Sequence, residues 1–178
     1  MKKEVEKLLQ YVQKPARYIG GELNAVVKDK DKIDIRYAFC FPDTYEIGMS
    51  HLGMKILYGL VNDREDSWCE RVFAPDNDME EQLRKNNVPL FALESGDYIK
   101  DFDMIGFTLQ YELSYTNVLN MLNLAQIPLK SSDRENLTPL ICVGGPCACN
   151  PEPITDFVDI VFLGDGEETT NQVIDLLI

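Results

Sequence analysis

The stretch CVGGPCACNPEP, residues 142–153, gathers three of the chain's five cysteines with two glycines and three prolines. Three chemistries use such residues: thiolate ligation of a metal, a glycine backbone cradling a phosphate, or a rigid loop closing over a larger cofactor. Structural zinc asks for paired ligands such as two CxxC motifs. This chain offers Cys147-x-Cys149, isolated Cys40, Cys69 and Cys142, and a single histidine, His51, so metal ligation is the weaker reading. Cys40 and Cys142 lie in apolar runs, where cysteine behaves as a small buried hydrophobe, while Cys147 and Cys149 are loop thiols. His51 reads either as a metal ligand or as a capping residue beside a helix start. Asp43, Tyr45 and Glu46 share its loop, and Tyr111 and Glu112 share another, which permits paired acid–base work. No Ser/His/Asp or Cys/His order accompanies them, so independent catalysis by this segment is not expected.

The composition narrows the classes further. The chain has 178 residues, 45% of them hydrophobic, enough for one ordinary domain with a full core. A formal net charge of −13 repels a nucleic-acid backbone, so direct nucleic-acid binding is not expected. No apolar run approaches the ~20 residues of a membrane helix, and the charged amphipathic start, MKKEVEKLLQYVQK, reads as that of a soluble, unexported protein. An odd cysteine count without framework spacing fits reduced thiols, and the expectation is a cytoplasmic protein.

The elements that must position these residues follow from periodicity. Residues 1–30 read as an opening helix ended by Pro15 and a hairpin-like extension with a Gly-Gly turn. Residues 31–178 read as one α/β unit. Ile33 to Phe41 form a buried strand, and YEIGMSHLGMKILYGLVN reads as its following helix, with Ile47, Leu52, Ile56, Leu57 and Leu60 on one side. SWCERVFAP, DFDMIGFTLQY, PLICVGGP and DFVDIVFLGDGEE are further strands. DNDMEEQLRKNN and SYTNVLNMLNLAQ are helices between them, and the chain runs out in a last helix. Alternation of this kind predicts a Rossmann-like or flavodoxin-like three-layer sandwich with a mostly parallel sheet of about five strands. The run-out in mid-helix reads as a domain cut from something longer.

In such a sheet a ligand sits beyond the carboxyl ends of the strands. The loops there carry Tyr45, Glu46, Ser50 and His51 after the first strand, and Thr108, Leu109, Gln110 and Asn117 around the middle one. They carry Gly144, Gly145 and Pro146 after the fourth, and Gly164 and Gly166 after the fifth. Each glycine is as readily a plain turn as a point of close ligand approach, and no nucleotide-binding glycine motif is present.

Taken together, the blocks FPDTYEIGMSHLGMKILYGLVN, ERVFAPDNDMEEQLR, GFTLQYELSYTN, VGGPCACNPEP and DIVFLGDGEE resemble the amino-terminal part of cobalamin-domain radical S-adenosylmethionine proteins, from about residue 15 onward. The resemblance implies a cobalamin-binding-like domain preceding the catalytic radical domain of the same chain. That following domain is the expected partner, and there the iron–sulfur cluster and S-adenosylmethionine would reside, since no CxxxCxxC run occurs here. It further implies a corrin lying over Tyr45, Glu46, Ser50 and His51 and over Thr108, Leu109 and Gln110, with the cofactor tail passing Gly144, Gly145 and Pro146 and the Gly164 and Gly166 loop. Cobalt-ligating domains of this kind use Asp-x-His-x-x-Gly, whereas here Met49 stands two places before His51 and Gly53 two after. The resemblance thus admits cobalamin without histidine ligation, or a module that kept the fold and lost the cofactor.

Overall fold

In the computed structural model, which describes residues 2–178, five strands form one all-parallel sheet: β1 (Ile35–Phe41), β2 (Ser67–Phe73), β3 (Met104–Thr108), β4 (Leu140–Gly144) and β5 (Ile160–Val161). Their spatial order is β2-β1-β3-β4-β5, so the sheet is built outward in both directions from β1, and the order reverses between β1 and β3. The helices are α1 (Lys3–Leu8), α2 (Tyr45–Ser50), α3 (Leu52–Asn62), α4 (Asn77–Asn86), α5 (Ser114–Leu124) and α6 (Gly166–Leu177). This is the flavodoxin-like arrangement expected from the alternation.

Period-two alternation divides the sheet between two cores. Ala38, Cys40, Ile105, Phe107, Ile141 and Val143 face α1, α4 and α5. Ile35, Tyr37, Phe39, Met104, Leu140 and Cys142 face α3 and α6. The helix expected over residues 45–62 is two, because the chain extends at His51 (φ −81°, ψ 118°) between α2 and α3. The break resets the helical phase. Met54, Tyr58 and Val61, at i, i+4 and i+7, therefore pack on the sheet, whereas Ile47, Leu52 and Ile56 of the expected apolar stripe stand exposed.

Residues 2–30 form no strand, so the hairpin-like extension is absent. After α1 the chain runs through two short 3₁₀ turns, and its later part is tied to the body by side-chain and backbone bonds. The Val26 N–H donates to the Tyr58 hydroxyl (2.7 Å), the Trp68 indole donates to the Val26 carbonyl (3.0 Å), and the Lys28 ammonium reaches the Ser67 carbonyl (2.7 Å). The segment is a strap along α3 and β2, and Val5 and Leu8 of α1 belong to the main core.

Asp66 organises the start of β1 and β2. Its carbonyl accepts from the Asp34 and Ile35 amides, and its carboxylate takes both Arg64 nitrogens at 2.8 Å and the Ser67 hydroxyl at 2.6 Å. The Arg64 hydrogen bonds, followed by that of Ser67, hold the carboxyl down to about 2 from its ordinary 3.8. A carboxyl depressed in the folded state contributes stability above its unfolded pKa, and that share is lost as pH falls through the folded one. The stability gap between wild type and Asp66→Asn is therefore expected to be full above about pH 4 and to close toward about pH 2. Thermal melts of both proteins across that range check it, and a gap that does not change with pH would refute the assignment.

Candidate functional site

A cavity of about 540 Å³ opens at the carboxyl ends of the strands, on the face covered by α3 and α6. Its floor is the sheet: Tyr37 and Phe39 of β1, Gly106 of β3 and Cys142 of β4, with Phe162 beside them. The Tyr37 and Phe39 rings stack with nearly parallel planes (5.6 Å between centroids, 21° between planes), which makes that part of the floor aromatic. Gly106 puts no side chain into this face, and the Tyr37 ring lies over it. A volume of this size is that of a small-molecule pocket and far above a packing defect.

The structure brings together at this cavity His51, Thr108, Gln110, Gly144, Gly145, Pro146, Gly164 and Gly166. The rest of the expected set lies elsewhere. Leu109 is fully buried in the opposite core. The Tyr45 hydroxyl donates to Glu22 of the strap, Glu46 pairs with Lys14 and Arg17, and the Ser50 hydroxyl bonds back to the Glu46 carbonyl. Tyr45 and Glu46 hold the amino-terminal strap, Ser50 bonds within α2, and none of the three lines the cavity. Tyr37, Phe39 and Cys142 also line it, and a continuous apolar strand does not reveal in the sequence which face each residue takes; Thr170 joins them from α6.

Gly145 is a structural requirement of its turn. Its φ is +98°, and a Cβ there would stand 2.9 Å from the Leu109 carbonyl oxygen. The turn is docked on the end of β3 by the Leu109 N–H to the Gly144 carbonyl (2.7 Å) and the Cys147 N–H to the Leu109 carbonyl (3.1 Å). Pro146 then leads away, with Cys149 exposed at the cavity mouth.

His51 is the N-cap of α3. Its Nδ1 accepts from the Met54 N–H at 3.1 Å, so the opposite nitrogen, Nε2, carries the proton and donates to Gln110 Oε1 at 3.0 Å. The Gln110 amide nitrogen donates in turn to the Thr108 hydroxyl at 2.5 Å. A second tie spans the same two loops, where the Tyr111 hydroxyl donates to the Asp43 carboxylate at 2.5 Å. These bonds fasten the loop after β1 to the loop after β3 where strand order reverses. Burial, and next to it Asp159, pushes the Cys142 thiol up to about 12, so it stays protonated and apolar in the floor. Asp165 and Glu167 border the mouth. Among the described residues no three His, Cys, Asp or Glu side chains gather to hold a metal, and no helix is long and apolar enough to cross a membrane.

The fold is a doubly wound α/β domain with a cavity at the carboxyl ends of its strands. The chain belongs to the family of radical SAM proteins as their amino-terminal region, a match that covers residues 53–178. A curated relative, the uncharacterized protein MJ0966 of Methanocaldococcus jannaschii, is 28% identical over 131 residues, which are 73% of this chain and 24% of that protein. The chain therefore spans about a quarter of the length of this relative.

Proposed function

We propose that this chain is the cobalamin-binding-like domain of a radical SAM protein, holding the cofactor's tail in the cavity and its corrin over the strand ends. The carrying observation is the 540 Å³ cavity with an aromatic floor, set at the carboxyl ends of β1, β3 and β4 beside the point where strand order reverses. Its residues fit such a tail, with an aromatic floor, small residues at the rim and polar Thr108 and Gln110 at the mouth. Bound cobalamin would supply organocobalt chemistry, and the domain's own share is to bind, orient and exclude water. The iron–sulfur cluster and S-adenosylmethionine would belong to a following domain of the same protein.

His51 has both ring nitrogens engaged, and ligating cobalt through either would cost the α3 cap or the Gln110 bond. The expected cofactor state is therefore one without a protein nitrogen ligand. Adding cobalamin to the purified protein, removing the excess and recording the absorption spectrum tests this. Near-stoichiometric retention is expected, with a spectrum lacking a lower nitrogen ligand and unchanged in His51→Ala. That variant should lose about 1 kcal/mol of stability with its cap. Absence of retention would reject the proposal.

A second reading is favoured by the ties at the strand-order reversal and by exposed Ile47, Leu52 and Ile56, which are 51%, 69% and 45% accessible. Here the domain is a cofactor-free module whose α2–α3 surface docks on the rest of the protein. The same titration separates the two readings.

A further inference from the structure

The amino-terminal strap meets the body chiefly through charge. Burial alternates along it: Tyr18, Glu22, Val26 and Lys28 turn toward the body, while Ile19, Leu23 and Val27 stand 52%, 99% and 70% accessible. Within residues 19–32 only Val26 packs on a core, so little apolar burial holds this stretch down. Residues 2–32 carry eight basic side chains against five acidic ones, whereas the rest of the chain carries nine against 25. The ties follow that contrast. Arg17 donates to the Glu46 carboxylate through Nε at 2.8 Å and Nη2 at 2.7 Å, with Lys14 3.6 Å from the same group. The Glu22 carboxylate accepts from Arg71 and from the Tyr45 hydroxyl, both at 2.8 Å.

These ties converge on α2, a helix of six residues and too short to be stable alone. Gly48 seats it on Phe41 and Phe73, and its polar side chains turn to the strap: Tyr45 and Glu46 bond to it directly. The Met49 sulfur accepts from Arg71 at 3.1 Å, and Glu22 holds the same guanidinium. α2 runs straight into His51, whose ring caps α3 and reaches Gln110 across the strand-order reversal. A continuous chain of bonds thus leads from the strap through α2 to one wall of the cavity. We infer that the strap is an ionic latch on α2. Closed, it fixes the His51 corner; opened, it loosens α2 and that corner together while the sheet stays folded. Salt favours the open state, because the Arg17–Glu46 pair leaves 49% of the Glu46 side chain in water, where its attraction is screened. The latch works the same way whatever the cavity holds.

Amide hydrogen exchange on the whole chain tests this, in wild type, Tyr45→Phe and Glu46→Gln, at about 0.05 M and about 1 M salt. Tyr45→Phe keeps the ring on Phe73 and removes only the bond to Glu22, while Glu46→Gln removes the charge shared by Arg17 and Lys14. The reporters are the Val26 amide in the strap and the Gly48, His51 and Met54 amides of α2 and its corner, all hydrogen-bonded in the closed state. Each substitution is expected to speed exchange at both sets together by roughly twofold to fivefold, the worth of one exposed tie, with the amides of β3 and β4 unmoved. High salt should do the same to wild type and less to Glu46→Gln. Faster exchange at Val26 alone would make the strap a passive cover and overturn the coupling, as would no change in either variant. Exchange insensitive to salt would overturn the ionic latch. Faster exchange in β3 and β4 as well would mean global unfolding and overturn a local device.

Discussion

Glu94→Ala is expected to lower stability by about 3–5 kcal/mol, a fall in Tm of roughly 6–20 °C for a chain of this size, with Arg71→Ala close behind. The reason lies at the open edge of the sheet. β2 is an edge strand, yet all seven of its residues are buried, including Glu70 and Arg71. The crossover segment after α4 covers that edge: the Leu93 N–H donates to the Arg71 carbonyl at 2.8 Å, and the Glu94 carboxylate accepts from the Arg71 backbone N–H at 2.7 Å and from its Nε at 2.6 Å. The Ser95 N–H donates to Glu70, whose other oxygen binds Arg36. Carboxylates thus stand in for a further strand beside β2 and cover that edge.

Removing Glu94 would orphan a backbone N–H and leave the guanidinium of Arg71 with Glu22 as its only carboxylate partner. The pair is nevertheless weak as a net source of stability. Burial pushes the Glu94 carboxyl up against the opposing pull of Arg71. A carboxyl raised in the folded state contributes stability below its unfolded pKa and loses it as pH rises through the folded one, the reverse of Asp66. Joint replacement by Arg71→Met and Glu94→Leu should therefore recover most of the loss from Glu94→Ala, and denaturant melts of the three variants measure it. A double variant as unstable as the single would place the loss in the orphaned Arg71 backbone N–H or in the pair itself, and not in a buried charge left unpaired.

This edge also shows where reading the sequence runs out. The runs around Ile35–Phe41, Met104–Thr108 and Leu140–Gly144 announced buried parallel strands, because a strand covered on both faces needs only continuous apolar character. The charges within SWCERVF gave no sign of partners more than twenty residues downstream. DIVFLGDGEE shrinks to the two paired residues Ile160 and Val161 because edge pairing depends on register, which composition does not encode. The same limit governs the site. Thr108 and Leu109 are adjacent at the end of β3, yet one lines the cavity and the other fills the opposite core. Glycines and His51 at strand ends were legible because topology alone places such loops at the ligand edge. Tyr37 was not, since only the alternation of a folded strand turns its hydroxyl toward the cavity.

Gly106→Ala is expected to weaken retention of a cavity ligand by about a hundredfold, roughly 2.8 kcal/mol, while leaving the protein folded. A Cβ at this position would sit 2.2 Å from the Tyr37 hydroxyl oxygen and 2.8 Å from two of its ring carbons. Restoring ordinary contact requires the ring to move by roughly 1 Å. The sheet backbone bars movement on one side, and the free volume lies on the other, in the cavity. The displaced ring would then take up the floor on which a ligand must lie, and its hydroxyl would leave the position from which it can donate. The cost to the unliganded protein should be modest, about 1–3 kcal/mol of overpacking, because the cavity receives the ring that a filled core would have refused. The two readouts therefore separate: Tm falls slightly, and affinity falls steeply. Gly106→Ala combined with Tyr37→Ala removes the clash and should regain binding volume without the hydroxyl, so its affinity should lie between the single variant and wild type. If Gly106→Ala retained ligand like wild type, the cavity above Gly106 would not be where the ligand lies.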